Sequence, residues 1–424
     1  MFVIGVSTAG PGLVEPLARH LLWYVAVFGS FTSTTFLGMA AVAALRYSRR
    51  SRSARLQAGS VVPETLPAVS ILKPLHGMEA RLQETLESFF RQDYPNFEII
   101  FGARNAADES LEVIAKLRAK YPRVRACVVI SGDPSWPNAK VFSLAKMMAS
   151  SENSFLVISD SDVLAGRDFL RNVIPPLLKP EVGLVTCLYE GVPANGLWSR
   201  LDGLGMSVEM PAGVLVADMM EGMKFALGAA IAVRRDAIEA IGGMSETADF
   251  CADDFVLGNF IARAGYRVVL SHYVVEHVLA GRSIRRTFGD QLRWMKSTRF
   301  SRPWGHVGAG LTYAVPFGVL ALLLGLSSSD HVRLGTELLA AACFNRMLLA
   351  MMIGWGVIGD RRCLRLCWLY PLRDLLGFCT WVVSFTGNKF LWRGEPYELR
   401  EQGRITPRGR SIEFVRDGVT EAHD

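Results

Sequence analysis

The run from Leu21 to Leu45 is apolar for 25 residues and gives way at once to RYSRRSRSAR, with Arg46, Arg49, Arg50, Arg52 and Arg55. At a helical rise of about 1.5 Å per residue such a run covers the ~30 Å hydrocarbon core of a bilayer. Basic residues crowd one flank only, which sets residue 50 on the cytoplasmic side. No basic cluster precedes the run, and it is longer than a signal-peptide core, so it reads as an uncleaved anchor. The composition agrees with a membrane enzyme: the 424 residues are 50% hydrophobic with a mean hydropathy of +0.24. That is too apolar for an ordinary soluble enzyme, yet long enough for a full catalytic core. The net charge of +6 comes from arginines beside apolar segments, as suits an anionic leaflet. No aromatic-basic module is present, so nucleic acid is not expected as a partner. Seven cysteines form no CxxC pair and read as reduced thiols.

Three further apolar segments, about 309–326, 334–358 and 364–386, lie near the other end. Three full spans would leave the following NKFLWRGEPYELREQGRITPRGR outside, whereas its Lys and Arg content argues that it stays inside. Arg373 and Asp374 interrupt the third segment, and charges are costly in hydrocarbon. That segment is therefore expected to be re-entrant or interfacial. The resulting plan is an anchor and basic linker (1–60), a cytoplasmic catalytic domain (66–300), membrane segments (301–390) and a basic polar tail (391–424).

Between Ala68 and Lys296 the hydrophobic period switches repeatedly. Short β-rich runs (VSIL, FEIIFGA, VRACVVI, FLVISD, VGLVTC, RVVLS) alternate with helical patterns (RLQETLESFFRQ, SLEVIAKLRAKY, KVFSLAKMMAS). Such alternation predicts an α/β domain with a mostly parallel sheet under helices, whose ligands bind beyond the carboxyl ends of the strands. Four strand ends and loops carry polar residues: LKPLHG, GARNAADES with Asp108, SDSD with Asp160 and Asp162, and FCADDF with Asp253 and Asp254.

Each has a bland and a chemical reading. Asp is common at strand ends, but side chains two apart on an extended segment point the same way, and two hard oxygen ligands suit Mg²⁺ or Mn²⁺ bridging to a diphosphate. Asp253 and Asp254 precede an apolar-periodic helix, where one carboxylate would serve as a cap and leave the other as a base. GRSIRRTFGDQLRWMKSTRFSRPWG interleaves Arg282, Arg285, Arg286, Arg293, Lys296, Arg299 and Arg302 with aromatic residues. One face of that helix reads as resting on the membrane. On the other, Arg293 and Trp294 would turn inward, a guanidinium toward a diphosphate and an indole toward acceptor or sugar. Met206 and Met210, in a methionine-rich stretch, suit either a lipid acceptor pocket or an ordinary core. The seven histidines show no ligand spacing, and no Walker loop or strand-borne GxGxxG is present.

In order and spacing, KPLxG, Asp108, DxD, the paired Asp253–Asp254 and RW resemble the inverting glycosyltransferases of the GT-A fold, and specifically the ceramide glucosyltransferase-like family 21. SFFRQDYPNFEI, NAK, VGLV, IGGM and LWRGEPYEL extend the resemblance over roughly residues 20–400. It implies a Rossmann-like nucleotide-diphospho-sugar transferase domain between membrane helices. It further implies Asp108 on the uridine side, Lys140 on the nucleotide side, Asp160 and Asp162 as ribose and metal pair, Asp254 as catalytic base, and Arg293 and Trp294 as the RW of the family's (Q/R)xxRW signature. Asp290 stands where that signature opens, with Gln291 adjacent. Asp162 and Met210 replace the glycine and histidine of the animal ceramide enzymes.

The branch that glycosylates hopanoids in bacterial inner membranes is nearest. The resemblance implies UDP-sugar as donor, a lipid hydroxyl as acceptor, and transfer of N-acetylglucosamine, or else glucose. A ceramide glucosyltransferase is the first alternative. A polyprenyl-phosphate sugar transferase and a non-catalytic UDP-sugar-binding scaffold are the others.

Overall fold

In the computed structural model, which describes residues 11–58, 66–281, 283–327 and 331–408, Pro11–Ala58 is one helix of 48 residues. At helical rise it is about 72 Å long, more than twice the bilayer core. The arginine-rich stretch expected as a linker therefore forms its last turns. Ala40, Ala43, Ala44, Tyr47 and Ser51 make a buried stripe at helical spacing, while the five arginines stay exposed. Tyr47 donates to the Ser271 carbonyl at 2.8 Å, and Arg50 pairs with Asp218 at 3.0 Å. The apolar run and the contacts to the sheet domain thus lie on one continuous helix.

Leu17–Leu56 and Val332–Ile358 are long and apolar enough to cross a bilayer. Pro303–Gly310 and Val315–Leu326 would make a third crossing, bent by 45°. Close approach to the neighbouring helix depends on glycine here: a Cβ on Gly335 would lie 2.7 Å from the Ala321 carbonyl oxygen, the small-residue contact that membrane helices favour. The third apolar segment folds as Arg362–Leu366 and Tyr370–Ser384, the latter too short to pass as a span. Its charges are paired internally. Asp374 pairs with Arg346 at 3.3 Å and accepts the N–H groups of Ala314 and Val315 at 3.0 and 2.9 Å; Arg373 pairs with Glu209 at 2.9 Å.

The catalytic sheet has eight strands: β1 (Val69–Pro74), β2 (Phe97–Ala103), β3 (Arg125–Ile130), β4 (Phe155–Ser159), β5 (Val163–Leu164), β6 (Val182–Val192), β7 (Ala230–Arg234) and β8 (Arg267–Val278). Their order is β3-β2-β1-β4-β7-β6-β8-β5. The first four are parallel, but β7 runs antiparallel to both β4 and β6. The sheet is therefore mixed where a mostly parallel one was expected, because the strand AIAVR, short and low in alternation, had no separate sequence signal. Strand alternation divides the core between the two faces. Leu72, Leu156 and Ile158 pack on one side, Ile71, Ile99 and Val157 on the other.

Part of the segment expected as a polar tail is folded. β9 (Lys389–Trp392), β10 (Glu395–Leu399) and β11 (Ile405–Pro407) form an antiparallel sheet. It is sewn to the catalytic domain by Cys251 N–H to the Gly403 carbonyl (3.1 Å) and Ile405 N–H to the Asp249 carbonyl (2.7 Å). Residues 409–424 and the Arg282 side chain lie outside the described residues.

Candidate active site

The loops at the carboxyl ends of β1, β2 and β4 meet the helix Asp253–Arg263 in one polar cleft. Asn138 opens the helix Ala139–Ala149: its Oδ1 accepts the N–H groups of Lys140 and Val141, at 3.0 and 3.2 Å, a side-chain N-cap. Its Nδ2 donates to the Phe250 carbonyl at 2.8 Å, fixing that helix to the loop before Asp253. Lys140 then projects between two acids. Its Nζ lies 2.7 Å from Asp160 Oδ1 and 3.8 Å from Asp253 Oδ2. Burial alone would depress the ammonium pKa, but Asp160 and Asp253 hold it above its ordinary value.

Asp253 and Asp254 lie in the first turn of their helix, whose N-cap position is Ala252 with no side-chain cap. Neither carboxylate is consumed as a cap. Burial, and next the negative charge of Asp253, push Asp254 up to about 6 from a usual value of 3.8. Gly228 leaves it room: a Cβ there would lie 2.8 Å from Asp254 Oδ2. Gly258 sets the helix down, since a Cβ at that position would lie 2.4 Å from the Ala226 nitrogen.

β4 stops at Ser159, so Asp160–Asp162 form a turn closed by Val163 N–H to the Asp160 carbonyl at 3.3 Å. Strand alternation ends one residue before the pair. Fully buried Lys73 pins this turn from beneath, its Nζ 2.5 Å from the Asp160 carbonyl and 3.8 Å from the centre of the Phe89 ring. Burial pushes Lys73 down to about 7, against the fields of Asp162 and Asp160. Asp162 Oδ2 faces His277 Nε2 at 3.5 Å. Asp162 Oδ1 is buried and has no hydrogen-bond partner among the described residues. An orphaned carboxylate oxygen of this kind fits a hard cation such as Mg²⁺ or Mn²⁺. Among the described residues no group of three His, Cys, Asp or Glu side chains is arranged to hold a metal.

Asp108 is occupied with its own loop. Oδ2 accepts Gly77 N–H at 3.1 Å, and Oδ1 accepts Ser110 N–H and Oγ–H at 3.0 and 2.6 Å. Burial opposes its ionisation, yet these bonds hold it below the usual carboxylate range.

Arg293 and Trp294 lie on Ile284–Ser301. The Arg293 guanidinium is 5.6 Å from the ring centres of both Trp294 and Trp392, and Trp294 is 41% exposed. Gln291 donates to Asp202 at 2.7 Å. Toward its C-terminal end this helix packs on the small sheet rather than lying free, with Lys296 buried and donating to the Lys389 carbonyl at 3.0 Å. Arg285 and Arg286 remain exposed. Met206 is buried in the core and Met210 packs against it, both at a π-helical turn, Gly205–Glu209.

The cleft therefore joins Lys140, Asp160, Asp253 and Asp254, with Asp162 and Asp108 on its flanks. Sequence reasoning gave no site role to Lys73, Glu79, Asn138 or His277. Glu79 accepts from Ser161 Oγ at 2.5 Å, and His277 is placed by strand register, Val163 opposite His277. KPLxG and NAK carried Lys73 and Asn138 in view, but His277 had no local signal.

The site lies on a mixed α/β sheet with acids gathered beyond its strand ends, joined to helices long and apolar enough to cross a bilayer. Residues 32–405 match the family model described as "Glycosyl transferase family 21", and the chain belongs to that family. It is 24% identical over 346 residues to ceramide glucosyltransferase 1 of Caenorhabditis elegans, covering 80% of this chain and 73% of that one. It is 23% identical over 236 residues to the beta-monoglucosyldiacylglycerol synthase of Trichormus variabilis, covering 54% and 47%. Among solved structures, a mannosyltransferase from Pyrobaculum calidifontis in complex with GDP-Man and Mn2+ matches 83% of this chain and 99% of its own, at 19% identity and a TM-score of 0.44.

Proposed function

We propose that this sugar transferase moves a hexosyl group, N-acetylglucosamine in the first place and glucose otherwise, from a UDP-sugar to a lipid hydroxyl, with inversion. The lipid is a hopanoid, and the catalytic domain faces the cytoplasm of a multi-pass inner-membrane protein. The observation that carries the chemistry is Asp254, uncapped, half-buried and raised to about 6. A general base works best with a pKa near the operating pH. Asp254 takes the proton from the acceptor hydroxyl as its oxygen attacks the anomeric carbon, and the bond to UDP breaks in the same displacement. Lys140 holds Asp160 and tempers the charge around Asp254. Asp160 and Asp162 would hold Mg²⁺ or Mn²⁺, which offsets negative charge on a leaving diphosphate when bound. The anchor helix, continuous with the catalytic domain, keeps the cleft at the bilayer surface, where Met210 and Trp294 are offered to the acceptor, while Met206, expected beside them, is core.

A second reading, glucose transfer to ceramide, is favoured by the length of the match to the Caenorhabditis enzyme. Full-length protein in detergent, given UDP-glucose or UDP-N-acetylglucosamine with a hydroxylated hopanoid, ceramide or diacylglycerol, decides between them by UDP release and product stereochemistry. Turnover on the hopanoid alone, with inversion, supports the first reading. Turnover on ceramide alone moves the assignment to the second, and a retained anomer sinks the single displacement.

A further inference from the structure

The β9–β10 hairpin joins the end of β2 to the helix that carries Arg293. Its tip residues, Arg393 and Gly394, both have positive φ, 51° and 83°, the requirement of a tight type I′ turn. Glycine takes that conformation freely, whereas an arginine is strained in it. On one side Glu395 accepts from Arg104 at the end of β2, at 3.4 Å. On the other, the Trp392 ring sits under Arg293, and the Lys389 carbonyl accepts from Lys296. The tip is thereby fixed with Arg393 exposed and its charge felt by His76, Glu79 and Asp160.

The cleft is rich in acid, with Glu79, Asp160 and Asp162 together, so a diphosphate entering it needs fixed cations. Lys140 is already paired with Asp160. Lys73 is sealed beneath the Asp160 turn and over the Phe89 ring. Arg393 forms no ion pair among the described residues and carries a planar five-donor fork, the geometry that matches phosphate.

We propose that Arg393 is a donor-binding residue, its guanidinium set by the strained hairpin against the diphosphate of the nucleotide sugar. The assignment rests on reading the cleft as the donor site. The test is calorimetric titration of full-length parent, Arg393→Gly and Arg393→Lys in detergent with UDP, GDP, uridine and guanosine. Glycine suits the turn, so the Tm of Arg393→Gly should match or exceed the parent's. Its affinity for the diphosphate should fall roughly tenfold or more, with nucleoside binding unchanged and Arg393→Lys intermediate. Equal diphosphate affinity in parent and Arg393→Gly overturns the proposal, as does an equal loss for nucleoside and diphosphate. A parent that prefers GDP refutes UDP as the donor nucleotide while the Arg393 comparison stands, now read with GDP. A parent that binds neither diphosphate overturns both.

Discussion

Replacing Asp254 by asparagine should abolish transfer and, at neutral pH, stabilise the protein. Burial and Asp253 raise this carboxyl from 3.8 to about 6, so the folded chain binds the proton more tightly than the unfolded chain does. Between those values the folded state holds more protons, and stability falls as pH rises through the window. At about 1.4 kcal/mol per pKa unit, the ionised carboxylate costs on the order of 3 kcal/mol at pH 7. The cost is absent below pH ~4 and complete above pH ~6. Asparagine removes the charge and the cost with it. Activity moves the other way: losing the base should lower kcat by roughly 10²–10⁴-fold. In the parent, kcat/KM should rise with pH through an acid limb near 6, set by Asp254. Asp253→Asn deletes the neighbouring charge that raises Asp254 and should move the limb down; Lys140→Met deletes a charge that lowers it and should move the limb up. The assay is UDP release across pH 4.5–8.5 (about that range suffices to bracket the limb), beside thermal unfolding of parent and Asp254→Asn at pH 4.5 and 7.5 (again about those values). Retained activity in Asp254→Asn, or a thermal shift that is the same at both pH values, would refute the reasoning.

Two further outcomes follow from the geometry. Asp162→Asn replaces the orphaned buried oxygen's carboxylate by an amide; it should weaken Mn²⁺ binding, read by electron paramagnetic resonance, at least tenfold by roughly the loss of one hard ligand, and unchanged binding would remove Asp162 from the metal site. Gly258→Ala forces a Cβ within 2.4 Å of the Ala226 backbone, so the helix carrying Asp254 must shift. A loss of roughly 1–3 kcal/mol in stability is expected, with kcat falling further than the stability change explains; full kcat would show that the helix has slack.

The local signals in this chain are strong where a residue's role depends on its near neighbours. The apolar run with its arginine flank, the alternation of β and α periods, and carboxylates just past strand FLVIS or just inside the helix that opens at Asp253 all follow from propensity and period over a few residues. They suffice for the α/β class, the anchor and the list of acids. Even so, local reasoning misread details that hinge on one turn: Asp160 and Asp162 lie past the end of the strand, and the arginine-rich flank is helix.

What the tertiary structure decided is which of these groups meet, and in what charge state. Lys140 comes between Asp160 and Asp253 because Asn138 caps one helix while reaching across 112 residues to the Phe250 carbonyl. His277 faces Asp162 only through the pairing of β5 with β8, and the antiparallel β7 was invisible until its neighbours closed around it. The hairpin of Arg393 reaches the cleft through Glu395 and Arg104, 291 residues apart. Period and propensity are properties of a short window of chain. A pKa near neutrality or a positioned guanidinium arises from burial and from charges brought together over long sequence separations, which only the packed fold supplies.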